Sequence, residues 1–197
     1  MLYLVARHAH SVLNLQRRVN GDPSVDVPLT AQGREEARLL GVQLAHVELD
    51  LCVCTRFPRT RETIELALAG RNAPIEVQPL LDDVDVGDLE GSPLDRYREV
   101  KRELGRSRPF PGGESLDAAA SRYARAFSAL AARGAERALV VCHEIPVRYA
   151  LNAGAGSDGL DAPFHDIPNA VPYLFGGAEL ARAAERIDQL AVRSAHG

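Results

Sequence analysis

Apolar positions along the chain fall into two alternating kinds of run. Five short ones, Leu2–Ala6, Leu49–Thr55, Ile75–Leu81, Ala138–Cys142 and Val171–Phe175, read as strands, with Leu2–Ala6 and Ala138–Cys142 unbroken. Unbroken rather than alternating hydrophobicity predicts strands covered on both faces, as in a parallel sheet. Between them lie longer segments whose apolar residues recur every three or four positions. Thr30 is a candidate N-cap for a helix carrying Ala37, Leu40, Leu44 and Val47 on one stripe. Arg59–Ala69 turns Thr63, Ile64, Ala67 and Leu68 inward. Leu116–Arg133 has the strongest helical spacing, through Leu116, Ala120, Tyr123, Phe127 and Leu130, and Gly134 stops it. Pro146–Ala153 and Leu180–Leu190 complete the set, the latter as a surface helix with Leu180, Ala184, Ile187 and Leu190 on one face. Strands alternating with helices predict a layered α/β domain around a mostly parallel sheet. Residues 84–113 and 154–170 are polar, and read as excursions over the edge of the domain. The last few residues are expected to fray.

The chain has 197 residues, which fits a single domain spanning 1–197. With 46% hydrophobic and 25% charged residues, it has the balance of an ordinary soluble globular protein. A formal net charge of -4 argues against a nucleic-acid or anionic-membrane partner, while leaving room for a local basic pocket that holds a small anion. Lys101 is the sole lysine; every other basic side chain is arginine, the better fork for phosphate. Cys52, Cys54 and Cys142 cannot all pair, so buried free thiols in a reducing cytoplasm are expected. Cys-x-Cys is a poor zinc spacing. No apolar run approaches the ~18 residues of a membrane span, and the first strand is too short for a signal segment. The expected location is the cytoplasm, and a homodimer is left open.

Chemistry gathers where strands end, the edge at which parallel sheets bind ligands. Arg7-His8-Ala9-His10-Ser11 follows the first strand, with Asn14 three residues on. Thr55-Arg56-Phe57-Pro58-Arg59-Thr60-Arg61 joins the second strand to a helix N-terminus, where free N–H groups suit phosphate. Val140-Val141-Cys142-His143-Glu144 delivers a second histidine. Each piece alone reads as surface charge or a capped strand. Two histidines and two arginines at one edge read as an anion site.

Together these blocks resemble the histidine phosphatase superfamily, which includes cofactor-dependent phosphoglycerate mutase and many small phosphatases. The opening motif matches Arg7-His8-Ala9-His10-Ser11-Val12-Leu13-Asn14 apart from its glycine. Asp26 to Ala37, Thr55 through Arg59 to Thr63, Asp83 to Gly91, and Pro111-Gly112-Gly113-Glu114-Ser115 follow in the family's order, and then His143. The matches cover about residues 2–175. The resemblance implies a three-layer α/β/α sandwich of the phosphoglycerate mutase-like kind. It implies His8 as the nucleophile, Asp83 as the general acid, and Arg7, Asn14, Arg59 and His143 around the phosphoryl oxygens. It implies a small phosphorylated substrate and neither metal nor cofactor. A metal-independent phosphatase is the main expectation. An inactive phosphate-binding member and a phosphoglycerate-type mutase are the alternatives.

Four features depart from the pattern or compete with it. Ala9 stands where the family has glycine, which is harmless only at negative φ. Asp83 stands where glutamate is usual, with Asp82 as its local rival. Glu144 replaces a glycine after the second histidine. It is expected to point outward in the first turn of its helix, where an acid is favourable. The other readings have it opposing a phosphate or meeting a cationic or hydroxyl group on the substrate. The basic run Arg96, Arg98, Lys101, Arg102, Arg106 and Arg108 is expected to be a solvated helix face.

Overall fold

The computed structural model describes residues 1–194. The residues expected to fray lie mostly outside that range. Five strands, β1 (Leu2–Arg7), β2 (Leu51–Cys54), β3 (Ile75–Val77), β4 (Arg137–Cys142) and β5 (Pro172–Gly176), form one sheet in the order β3-β2-β4-β1-β5. The first four run parallel, and β5 pairs antiparallel with β1 at the edge. Among the described residues, seven α-helices accompany them: α1 (Val12–Leu15), α2 (Ala31–Gln43), α3 (Pro58–Leu68), α4 (Leu94–Leu104), α5 (Leu116–Ala132), α6 (Glu144–Gly154) and α7 (Gly177–Ser194).

Strand side chains alternate between two apolar layers. Tyr3, Val5, Val53, Val140 and Cys142 pack with residues of α5, α6 and α7. Leu4, Cys52, Cys54, Leu139 and Val141 pack with residues of α2 and α3. This is the three-layer α/β/α sandwich, and the unbroken strand hydrophobicity has its cause in burial on both faces. All three cysteines are buried and free. Tyr3 donates its hydroxyl to the Leu130 carbonyl at 2.6 Å, which ties the first strand to α5. Among the described residues, no helix is long and apolar enough to cross a membrane.

Several elements differ from expectation. The run Ile75–Leu81 is a strand only to Val77; Pro79 then turns the chain into a 3-10 helix, Pro79–Leu81. The excursion 84–113 contains α4, whose Leu94, Tyr97, Val100 and Leu104 keep helical spacing among charges. The last helix is longer than expected and is not simply superficial, since Leu180, Ala184 and Ile187 are fully covered.

Register brings the two histidines together. Arg7 of β1 lies opposite Cys142 of β4, and the His8 amide donates to the Cys142 carbonyl at 2.9 Å. His8 and His143 therefore leave neighbouring parallel strands at the same level. The loop after β1 is braced by α2, which Thr30 caps by accepting from the Gly33 amide at 3.0 Å. A Cβ on Gly33 would overlap the His10 carbonyl oxygen, so only glycine lets α2 approach this loop. Gly33→Ala is expected to lower stability by roughly 1–3 kcal/mol, the usual cost of overpacking, measured by urea denaturation.

Candidate active site

Arg59 stands at the centre. Pro58 opens α3 and fixes the chain direction at its first turn, so Arg59 points back under the sheet edge. The residue is only 3% exposed. Its Nε donates to His8 Nε2 at 3.0 Å, and its Nη2 lies 3.1 Å from His143 Nδ1 and 3.3 Å from Asp83 Oδ2. Nη1 donates to the Asn20 side-chain oxygen, and the guanidinium carbon lies 4.3 Å from the centre of the Phe57 ring. Burial pulls the Arg59 pKa down to about 10, with Asp83 and Glu90 working against that pull. It remains a cation at neutral pH.

The hydrogen bonds define both imidazoles. His8 Nδ1 donates to the Ala9 carbonyl at 2.8 Å, which leaves Nε2 as an acceptor facing Arg59. His143 Nδ1 accepts from Arg59, so its proton sits on Nε2, 3.0 Å from the Thr55 hydroxyl. That hydroxyl is 3.0 Å from the Thr60 hydroxyl, which donates to the Phe57 carbonyl at 2.9 Å. The chain of donors closes with every proton assigned. Both pKa values lie well below the ordinary histidine value near 6.5, first through burial and then through the Arg59 cation. The ring centres are 5.5 Å apart.

The two acidic rivals separate cleanly. Asp82 is 4% exposed and spent on Arg56, whose amide and Nε donate to it at 2.9 and 2.5 Å. Asp83 keeps a quarter of its side chain open and touches Arg59 and His143, the latter at 3.4 Å. Desolvation raises its pKa above the ordinary aspartate value, outweighing Arg59 and the Val84 amide. Arg122 holds this segment by donating to the carbonyls of Leu80, Asp82 and Asp83.

A cavity of about 330 Å³ opens in front of these groups and is lined by Arg7, His8, Asn14, Arg59 and Asp83 among others. Asp83 also borders a second cavity, about 490 Å³, walled by Asp82, Asp85, Glu114 and Arg122, which neither histidine reaches. Arg7 donates through Nη1 to the Ile167 carbonyl at 2.8 Å. Asn14 spends its side-chain oxygen on the Ser11 amide at 3.1 Å, so its NH₂ is what it offers a ligand. His143 is fully buried behind the cavity, and meets it only through Arg59 and Asp83. His10 is occupied by Thr30 at 3.1 Å.

Two expectations are corrected here. Glu144 does not point outward: it lines the cavity, with Oε2 3.1 Å from Arg7 Nη1 and Oε1 3.3 Å from Arg148 Nη1. Two guanidiniums near the mouth outweigh the pull of the helix N-terminus. The basic run is not uniformly solvated either, because Arg98 and Lys101 line the cavity beside Leu94 and Tyr97 on one face of α4. Ala9 is unstrained, since the positive-φ residues other than glycine are Arg17, Ala69 and Ala170. Its amide donates to the Thr63 hydroxyl at 3.0 Å.

Sequence reasoning missed Asn20 as a site residue. Its amide nitrogen donates to Glu90 at 2.8 Å, and Glu90 also accepts from the amides of Gly21 and Asp22. The turn signal Asn20-Gly21 and Glu90 in the acidic block were the only traces of this arrangement. Asn169 donates to the His8 carbonyl at 2.7 Å and clamps the loop after β1 from its other side.

These neutral histidines carry a pH consequence. Their folded pKa values are depressed, so the unfolded chain binds more protons as pH falls below about 6.5. Stability is then lost on acidification. Asp83 acts oppositely, because its raised folded pKa restores some stability as pH falls through it. Urea denaturation is expected to give lower stability at about pH 5.5 than at about pH 7.5, with a smaller loss in His8→Gln.

The model of the histidine phosphatase superfamily (branch 1) matches residues 2–171. A 2,3-bisphosphoglycerate-dependent phosphoglycerate mutase 2 of Gloeobacter violaceus is 36% identical over 138 residues, covering 64% of this chain and 61% of that protein. An adenosylcobalamin/alpha-ribazole phosphatase of Escherichia coli is 31% identical over 102 residues, covering 52% of this chain and 47% of that one. The chain thus spans about half to three fifths of the length of these curated relatives. The solved structure of Bacillus stearothermophilus YhfR superposes with a TM-score of 0.78 at 25% identity, over 89% of this chain and 90% of that one. With two histidines meeting over one buried arginine and a family match across both excursions, the chain belongs to the histidine phosphatase superfamily.

Proposed function

We propose that this protein is a metal-independent phosphatase that hydrolyses a small phosphomonoester through a phosphohistidine on His8. The observation that carries the reading is the triple contact of Arg59 with His8 Nε2, His143 Nδ1 and Asp83 Oδ2. One cation thereby borders the nucleophile, a second imidazole and the proton source. Asp83 is shifted upward by burial and His8 downward by burial and the Arg59 cation, the directions that the acid and nucleophile roles need.

In the first step an incoming phosphoryl group takes over the Arg59 guanidinium and frees the Nε2 lone pair. Nε2 attacks phosphorus, the ester P–O bond breaks, and the protonated Asp83 gives its proton to the departing alkoxide. In the second step water attacks the phosphohistidine, its proton passes to the Asp83 carboxylate, and the P–N bond breaks to restore neutral His8. Arg7, Arg59 and the Asn14 NH₂ meet the charge on the phosphoryl oxygens, the role that cations and aimed donors fill in phosphoryl transfer, while His143, buried behind them, holds the Arg59 guanidinium in place through Nδ1. The buried free thiols fit a reducing cytoplasm.

Turnover of p-nitrophenyl phosphate with EDTA present tests the proposal. Activity is expected to persist with the chelator and to fall by about 10³-fold or more in His8→Ala, as for loss of a nucleophile. Loss of activity with EDTA, or normal turnover in His8→Ala, overturns it. So does a rise in melting temperature with phosphate or vanadate without any phosphate release. Asp83→Asn is expected to slow alkyl phosphates by roughly 10²–10⁴-fold and p-nitrophenyl phosphate far less, because nitrophenolate needs no proton to leave. Equal slowing of both rejects Asp83 as the acid.

A further inference from the structure

We propose that Glu144 sets the leaving-group specificity of this site: it selects phosphomonoesters that carry a neutral hydroxyl on the carbon next to the ester carbon, and it excludes a second anionic group there. The inference rests on the phosphatase reading and names its substrate class.

Glu144 follows His143 directly and opens α6. A third of its side chain is exposed, and that exposed part faces the cavity. Its carboxylate bridges two guanidiniums, Arg7 at 3.1 Å and Arg148 at 3.3 Å. Arg148 is 8% exposed and is fixed further by the His165 carbonyl and by Asp161, each at 3.4 Å. Glu144 is thus held in place rather than free to swing out. Arg7 is both a lining residue of the phosphate pocket and a partner of Glu144. With Arg7 on the phosphoryl group as proposed, the Glu144 carboxylate is its neighbour across the shared guanidinium, and a leaving group that extends along this wall passes the carboxylate.

Three chemistries compete for that place. A second phosphate or carboxylate meets the Glu144 charge in a partly desolvated cavity, and is repelled. An ammonium reaches the Glu144 oxygens only where Arg7 and Arg148 already hold them, and adds a third cation to that cluster. A hydroxyl donates to a Glu144 oxygen without adding charge, so it gains a charge-assisted hydrogen bond and meets no repulsion. Only the hydroxyl satisfies both signs of charge. Arg98 and Lys101 line the same cavity from α4, with Asp95 and Asp161 as counter-charges at 3.5 and 3.8 Å. Their ion pairs are with those aspartates, while Glu144 pairs with Arg7 and Arg148.

The test uses matched two-carbon esters, with 2-hydroxyethyl phosphate, ethyl phosphate and 2-phosphoglycolate as probes, each read as kcat/KM relative to p-nitrophenyl phosphate for the same protein. The unaltered protein is expected to favour hydroxyethyl over ethyl phosphate by about tenfold, the worth of one charge-assisted hydrogen bond, and to turn over phosphoglycolate most slowly. In Glu144→Gly the hydroxyethyl preference is expected to vanish and relative phosphoglycolate turnover to rise about tenfold or more. Glu144→Gln keeps an acceptor oxygen and loses the charge. It is expected to retain part of the hydroxyl preference while admitting phosphoglycolate, a split that a merely structural role does not produce. Ratios in Glu144→Gly within about twofold of the unaltered protein overturn this inference while leaving the phosphatase reading standing. Absence of His8-dependent release from p-nitrophenyl phosphate overturns both.

Discussion

A guanidinium buried without water is costly unless its hydrogens find acceptors and its charge finds a counter-charge. Arg59 is in that position, and the surrounding architecture supplies what it lacks. Asn20 provides two oxygens, one from its side chain and one from its backbone. His8 and His143 each provide a ring nitrogen, and Asp83 a carboxylate oxygen. The same contacts set the state of both imidazoles. A cation against them keeps them neutral, and the His8 lone pair that accepts from Arg59 belongs to the ring that lines the cavity. A network that was only half satisfied would be worse than an apolar plug.

The support behind Arg59 comes from distant parts of the chain. Glu90 gathers Asn20, Gly21 and Asp22 and presents the Asn20 oxygens to the guanidinium. Arg122 of α5 clamps the carbonyls flanking Asp83 and pairs with Glu114. Thr63 of α3 accepts the Ala9 amide, and Asn169 donates to the His8 carbonyl. Most of these bonds immobilise a backbone group beside His8, Asn20 or Asp83. Such pre-set geometry lets fixed donors meet developing charge without reorganising at the moment of reaction.

How much of this was legible in the sequence depended on whether the cause was local. Strands buried on two faces announce themselves by unbroken hydrophobicity, so β1, β2 and β4 were readable, and with them the positions of His8 and His143. The meeting of those residues depends on register, and the order of motifs along the chain stood in for it. The Pro79 turn was visible as a residue but not as the end of a strand, because Leu80 and Leu81 continue the apolar run. Charges outnumber the apolar positions of α4, which hid its inward face and the cavity lining by Arg98 and Lys101. Asn20 carried no periodic signal at all. Its place follows from Glu90, far along the chain, and only folding brings the two together.

The two departures from the family's glycines are absorbed in physically different ways. Ala9 is fully buried among Leu4, Leu29, Ile64 and the other residues of the α2–α3 layer. Its methyl group fills core volume and its backbone lies at ordinary φ. That change is invisible from the cavity and acts only on packing. Glu144 is met by charge instead of volume, through Arg7 and Arg148, and its carboxylate remains at the cavity wall. Each of its oxygens has one guanidinium partner, at 3.1 and 3.3 Å, so its charge is shared between two cations at the wall. A buried methyl can alter how firmly the loop that carries His8 is held. A carboxylate at the wall can alter which alcohol is released.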